Sequence, residues 1–286
     1  MSIKCENLTY IYSPQTPFEK KALDNISLTV NDGDFVGLIG HTGSGKSTLI
    51  QTFNGLIKPT YGKVFVDGED ITKKECNLTK IRGKVGIVFQ YPEYQLFEET
   101  VYKDIAYGPK NLGMSDEETD AKIKEVAEMV GLDKKTLDKS PFEISGGQKR
   151  RVAIAGVLAM NPKTLILDEP TAGLDPVGRD EILSQIKKIH EQNGTTVILV
   201  THSMEDIAKI ADSIVVMHDG NLMMHESVSK VFSNPEFLVK IGLNVPQINM
   251  VVNKLREKNI DLGNDIFTVS DAANAIKNYL RRIGKC

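Results

Sequence analysis

The 286-residue chain holds only three cysteines, Cys5, Cys76 and Cys286, an odd and widely scattered set. That excludes a disulfide framework and a paired-cysteine zinc module, and it suits a reducing compartment. Neither charge is in excess: 35 lysines and arginines stand against 38 acidic residues, a formal net charge of -3. So even a balance gives no footing for a broad nucleic-acid-binding surface, and no nucleic-acid partner is expected. No apolar run approaches the roughly 18 residues that cross a bilayer. The opening stretch MSIKCENLTYIY carries Lys4 and Glu6 where a signal peptide needs its apolar core. Tandem repeats and low-complexity tracts are absent too. The expectation is a protein of the cell interior that can dock on a membrane protein without entering the bilayer.

What is present is an ordinary globular balance, 41% apolar and 26% charged, enough for one large domain with an appendage. Short apolar runs bounded by turn residues predict strands over 3–12, 26–30, 35–39, 63–67, 85–89, 164–167, 196–201 and 213–217. Between 101 and 138 the chain turns polar and helical, with Ile123, Val126, Ala127 and Val130 at i, i+3, i+4 and i+7. This reads as a helical insertion, about 95–160, in a strand-rich α/β core spanning 1–235. After about Gly220 the texture changes. Two amphipathic patterns follow, Ile248, Val251, Val252, Leu255 and then Ile276, Tyr279, Leu280, Ile283. From Glu236 onward eight basic residues face five acidic ones, so the tail carries +3 and the remainder -6. Residues 236–286 are expected to form a small α-rich extension, which either pairs with a second tail or packs on the main domain.

The strand at 35–39 runs into Gly40-His41-Thr42-Gly43-Ser44-Gly45-Lys46-Ser47-Thr48, which fits G-x-x-x-x-G-K-[ST] at every fixed position. Glycines let the backbone curl until its N–H groups face a β-phosphate, and the helix starting at Lys46 adds its positive end. Lys46 should reach the β- and γ-phosphates, and the Ser47 hydroxyl should ligate Mg²⁺. Strand before and helix after supply the context that a bare glycine turn lacks. The run TLILDEP then puts Asp168 at the carboxyl end of a buried strand, with Glu169 next. Strand carboxyl ends are where open α/β sheets bind ligands. On a strand, neighbours point to opposite sides, so Asp168 can hold the Mg²⁺ shell while Glu169 polarises a water. Alone, such a pair is usually a solvated loop start; beside a phosphate loop it completes a nucleotide site.

At Ser145-Gly146-Gly147-Gln148 the chain resembles the ATP-binding-cassette ATPases, whose LSGGQ signature reads ISGGQ here, with Ile144 in the apolar place. The other motifs of that family follow in order. Gln90, after KVGIVF, matches the Q-loop and implies a metal-facing glutamine; Ala172-Gly173-Leu174-Asp175 resembles the D-loop; His202, after TVILVT, matches the switch histidine. Tyr12 falls where the family stacks adenine, with Tyr10 as the alternative. The likeness covers roughly residues 3 to 232. It implies a P-loop core with an antiparallel β subdomain and a helical subdomain, ATP and Mg²⁺ as ligands, and catalytic roles for Glu169, His202 and Gln90. It also implies head-to-tail pairing, the signature of one cassette closing on the nucleotide of another. With one copy of each motif, this chain needs a second cassette, itself or a related chain.

Within the family, Gln90-Tyr91-Pro92-Glu93-Tyr94-Gln95-Leu96-Phe97, SPFEISGGQKRRVAIAGVLAM and THSMEDIA look most like the ATPases of energy-coupling-factor importers, which include the cobalt-type ATPases. GHTGSGKST and TPFEKKAL look like the second of their two ATPase types. The resemblance implies a peripheral subunit at the cytoplasmic face of the membrane, working with a membrane coupling subunit and a substrate-binding membrane subunit, in the uptake of vitamins or metal ions. A soluble mechanochemical ATPase is the alternative; a non-hydrolysing binding module is disfavoured by Glu169 and His202. The carboxylates Glu93, Glu98 and Glu99, set among aromatic residues after Gln90, are expected to pair with arginines of the coupling subunit.

Overall fold

The computed structural model describes residues 2–263 and 265–282; Ile283 of the second tail pattern and Cys286 lie outside them. The first sheet is antiparallel. In it β1 (Ile3–Tyr12) runs between β2 (Lys20–Val30) and β4 (Tyr61–Val66), and β4 pairs onward with β5 (Glu69–Asp70). Ile3, Cys5 and Leu8 are buried, and the pairing of β1 with β2 shifts register between Cys5 and Leu8. Such a shift lets the inward face skip from an odd to an even position.

The second sheet has the order β10-β9-β3-β8-β7-β6. Its strands β3 (Phe35–Ile39), β6 (Val85–Val88), β7 (Thr164–Asp168), β8 (Thr196–Val200) and β9 (Ser213–His218) are parallel, and the edge strand β10 (Asn221–Ser227) is antiparallel. The central strands are continuous apolar runs because both their faces are covered. Phe35 and Ile39 of β3 enter the larger core with the helices, whereas Val36 and Leu38 enter the smaller core against the antiparallel sheet. The parallel sheet is therefore the wall between the two cores. Neither β5, β10 nor the first half of β2 is expected from the sequence; NLMMHES lacks the apolar run of a covered strand because it sits on an edge.

Helix α1 (Lys46–Phe53) buries Leu49, Ile50 and Phe53 against the smaller core, and α2 (Leu78–Lys84) adds Ile81. The helical layer comprises α3 (Val101–Asn111), α4 (Asp116–Met129), α5 (Lys134–Leu137) and α6 (Gly146–Leu158). Helix α4 begins on a capping box, Ser115 with Glu118, and turns Ile123, Val126 and Ala127 inward. Helices α7 (Pro176–Asn193) and α8 (Met204–Ile210) lead into β8 and β9. After β10 come α9 (Val228–Phe232) and α10 (Pro235–Lys240), then α11 (Gln247–Glu257) and α12 (Val269–Arg282). Leu238, Ile241, Leu243 and Val245 are buried in the larger core, and only Val252, Ile266 and Ala272 make a separate small cluster. Met250, Val251 and Ile276 remain exposed. Among the described residues no helix is long and apolar enough to cross a membrane. The architecture is α/β, a parallel-sheet core carrying an antiparallel sheet, a helical layer and an α-rich C-terminal extension.

Candidate functional site

The loop from Gly40 to Ser47 joins the end of β3 to α1. Gly43 and Gly45 hold φ of 84° and 101°, in the left-handed region that favours glycine. A Cβ on Gly45 would sit 2.5 Å from the Ala22 carbonyl oxygen, and one on Gly40 would sit 2.4 Å from that of Met217. The loop is thus wedged between β2 and β9, and no side chain fits at either glycine. Lys46 Nζ donates to the carbonyls of Gly40 at 2.7 Å and His41 at 3.0 Å, bracing the loop from within. Burial pushes the Lys46 pKa down, and the Glu169 and Asp168 carboxylates pull it back.

Strand β7 ends at Asp168, whose Oδ2 accepts from the Ser47 hydroxyl at 3.1 Å. Burial pushes the Asp168 carboxyl up, opposed by the Ser47 bond and the Lys46 charge. Glu169 is not a strand residue, as the alternation argument assumed. Its φ is 53°, so the chain turns at Glu169 and the two carboxylates part through backbone twist. The Glu169 N–H donates to Val200 on β8 at 2.9 Å, which fixes the turn. Burial first, and the neighbouring Asp168 charge second, push the Glu169 carboxyl up to about 7. Its Oε1 lies 3.0 Å from His202 Nε2, yet it is buried without a hydrogen-bond partner. Burial and the Lys46 charge push the His202 pKa down, and the Asp168 charge pulls it back.

At the rim, the Tyr12 hydroxyl lies 3.1 Å from Thr48 Oγ1, tying the end of β1 to the start of α1. Tyr12 is 40% exposed, whereas Tyr10 packs against the smaller core and meets Tyr12 edge to face. Gln90 lies two residues past the end of β6, after Phe89, and is exposed.

The signature lies elsewhere. Ser145 caps α6, accepting from the Gln148 N–H while Gln148 Oε1 accepts from the Ser145 N–H. A Cβ on Gly146 or Gly147 would meet nothing within 4 Å. Asp175 caps α7 through the Gly178 N–H at 2.7 Å. Ser145, Gly147, Gln148 and Asp175 line one cavity of about 800 Å³, and no residue of the phosphate loop reaches it. One chain therefore brings together Lys46, Ser47, Asp168, Glu169 and His202, and holds its signature apart from them.

The expected docking carboxylates are corrected in part. Glu93 is taken by this chain's own Arg150, whose Nε and Nη2 donate to it at 3.2 and 2.9 Å. Arg150 also donates to the carbonyls of Pro170 and Ala172, at 3.1 and 2.8 Å. Its side chain is only 4% exposed, so this is a buried structural pair. Glu99 pairs with Lys103 one turn on, at the surface. Next to this segment lies a groove of about 660 Å³ walled by Leu96, Phe97, Tyr107, Val157 and Met160. Sequence reasoning expects a groove for the coupling subunit after Gln90, but it misses the Arg150 pair. The available signal was Arg150 itself, an arginine set between the signature and a run of buried apolar positions.

Comparison with known proteins gives the same picture. A family model described as ABC transporter matches residues 23–172. The energy-coupling factor transporter ATP-binding protein EcfA2 of Clostridium acetobutylicum is 59% identical over 281 residues, 98% of each chain. That of Clostridium perfringens is 58% identical over 282 residues, 98% of this chain and 99% of the relative. Among solved structures, cbiO1 of Clostridium perfringens, part of the ABC transporter complex cbiONQ, superposes with a TM-score of 0.73 at 37% identity, over 88% of this chain and 98% of that one. A dimeric ATP-binding cassette in a post-hydrolysis state bound to ADP and phosphate has a TM-score of 0.71 at 33% identity, over 79% and 98%. With its phosphate loop, acidic strand end, signature and these likenesses in view, the chain belongs to the ABC-transporter ATPase family, among the energy-coupling-factor ATP-binding proteins.

Proposed function

We propose that the chain binds ATP between its own phosphate loop and the signature of a second cassette, hydrolyses it at Glu169, and passes the resulting motion to a membrane coupling subunit. The observation that carries this is the donorless Glu169 oxygen beside the bonded Ser47–Asp168 pair. The oxygens of Ser47 and Asp168, 3.1 Å apart, suit a hard cation, and with Gln90 they would hold Mg²⁺. That ion would supply neutralisation of charge on the phosphate oxygens.

The residues themselves do the following. The loop amides and Lys46 cradle the phosphates. Tyr12 stacks on the adenine, a contact that needs only a π-face. Glu169, with a pKa near 7, is close to half ionised at neutral pH, so it can orient a water and take its proton without a large driving-force mismatch. His202, 3.0 Å from Glu169, positions that carboxylate toward the γ-phosphate. Ser145, at the cap of α6, and Gly146 and Gly147, which nothing of their own chain covers, close on the partner's nucleotide, and Asp175 lies on that same face.

The relatives named as transporter subunits favour a peripheral subunit at the cytoplasmic face of the membrane, serving the uptake of vitamins or metal ions chosen by a separate membrane subunit. The groove beside Leu96 and Phe97 is the dock for the coupling subunit, since it combines apolar walls with the Q-loop as its neighbour. The exposed Met250, Val251 and Ile276 fit a tail that pairs with a second tail.

The test is Glu169→Gln. It should retain ATP binding, trap a nucleotide-bound dimer, and cut turnover by on the order of 100-fold or more. Hydrolysis at the normal rate would remove Glu169 from the mechanism.

A further inference from the structure

His41, the residue after Gly40 in the phosphate loop, turns its ring to the junction of β9 and β10. Its Nδ1 lies 2.9 Å from the Thr42 carbonyl oxygen. A carbonyl only accepts, so Nδ1 carries a hydrogen, and in the neutral ring Nε2 carries the lone pair. That lone pair faces another acceptor: His41 Nε2 is 3.2 Å from Asp219 Oδ1, buried, and without a hydrogen-bond partner. The second oxygen of Asp219 lies 3.4 Å from His218 Nε2, and the two imidazole rings meet edge to face with centroids 4.9 Å apart. One ligand atom from each of the three residues lies within 4.8 Å of the others.

Two acceptors held face to face require positive charge between them, from a proton or a metal ion. Two features favour the ion. Imidazole ligands sit about 2.0–2.1 Å from zinc, so two ligands of a tetrahedral ion are about 3.3–3.4 Å apart, and each histidine nitrogen lies close to that distance from one oxygen of Asp219, at 3.2 and 3.4 Å. A ring nitrogen donating to a backbone carbonyl while the other is free is the arrangement that orients a metal-bound histidine.

We propose that His41, His218 and Asp219 bind a divalent transition-metal ion of the zinc, cobalt and nickel class, clamping the phosphate loop to the β9–β10 turn. Two imidazoles set this site apart from a magnesium site, which takes oxygen ligands. Asp219 is 71% exposed, so an ion can enter and keep water in its remaining position. The turn already touches the loop, since the Gly220 N–H donates to the Ser44 carbonyl at 3.0 Å. A bound ion converts that light contact into a rigid link beside the residues that cradle phosphate.

The experiment titrates the full chain, free of nucleotide and magnesium, with Co²⁺ and follows the visible bands of the tetrahedral ion. One equivalent should bind, be displaced by Zn²⁺, and resist Mg²⁺. Asp219→Asn and His218→Gln should each weaken binding at least about tenfold. Asp219 has φ of 46°, a conformation asparagine also adopts, so that variant keeps the turn, as a thermal melt will show. Zn²⁺ should also slow amide exchange in residues 41–45 of the unaltered chain and leave Asp219→Asn unchanged. No binding, binding untouched by both variants, or a proton on His41 Nε2 that the metal fails to displace would overturn the proposal.

Discussion

The two helix ends built to face anions, α1 behind the phosphate loop and α6 behind Ser145, differ in how much of their surroundings this chain supplies. At the first, glycine is required by packing: Gly40 and Gly45 touch the backbones of Met217 and Ala22, and Lys46 is braced by two carbonyls. At the second, Gly146 and Gly147 face nothing of their own chain, and no packing reason within the chain explains their lack of a side chain. A glycine whose reason is internal belongs to a finished site. One whose reason lies outside belongs to a site another molecule completes.

The comparison breaks most sharply at Lys46. Lys46→Ala removes the cation of the finished end, and nucleotide affinity should drop by about 2–5 kcal/mol in a calorimetric titration, the cost of truncating a buried charged partner. Glu93→Gln tests the joint between the two ends, because it strips the carboxylate from the buried Arg150 guanidinium. Denaturant melts should show a loss of about 2–3 kcal/mol, below the full figure for a buried pair because Glu93 is partly reached by water. The glycines give the direct contrast. Gly45→Ala should destabilise the fold by about 1–3 kcal/mol through its φ and the Ala22 contact. Gly146→Ala should stabilise it by up to about 1 kcal/mol through helix propensity, while ATP-driven dimerisation measured by light scattering falls. Equal effects at the two positions would erase the distinction.

A smaller effect follows from Glu169. Its folded pKa of about 7 lies above the usual 4.5, so the folded chain holds this proton more tightly than the unfolded chain does. Its contribution to stability is therefore present below pH 4.5 and is lost as pH rises to about 7, with no further change above. Allowing for solvent screening, about 1–2 kcal/mol is at stake, and Glu169→Gln should recover it in melts at pH 8 but not at pH 4. The smallest effect is at the rim: Tyr12→Ala should weaken ATP binding by about 1 kcal/mol, and Tyr10→Ala should act on stability instead.

Local features of this molecule were legible in its sequence because their causes are local. The run at 35–39, the glycine loop and the apolar spacing Leu49, Ile50, Phe53 place β3, the loop and α1 where they are found. Asp168 could be placed at a strand end for the same reason. What escaped depends on contacts between distant residues. Glu93 reads as a free carboxylate until Arg150, 57 positions on, is seen to occupy it. Residues 238–245 read as part of a separate tail, yet their apolar side chains fill the larger core, so a truncation meant to test tail pairing should spare them. Glu169 sits outside its strand because its φ of 53° turns the chain there, and strand alternation carries no trace of that turn.

Arg150 gives these separated regions a common mechanics. A guanidinium is a flat, rigid fork, and here one set of donors grips Glu93 while another grips the carbonyls of Pro170 and Ala172. Three stretches of chain, beside the groove, beneath the signature and immediately after Glu169, are riveted to one plane with no slack between them. A lysine would let each drift independently on a swivelling tip. One side chain thus holds Glu93, two positions before the groove residue Gln95, and Pro170, the residue after Glu169, in a fixed relation to each other.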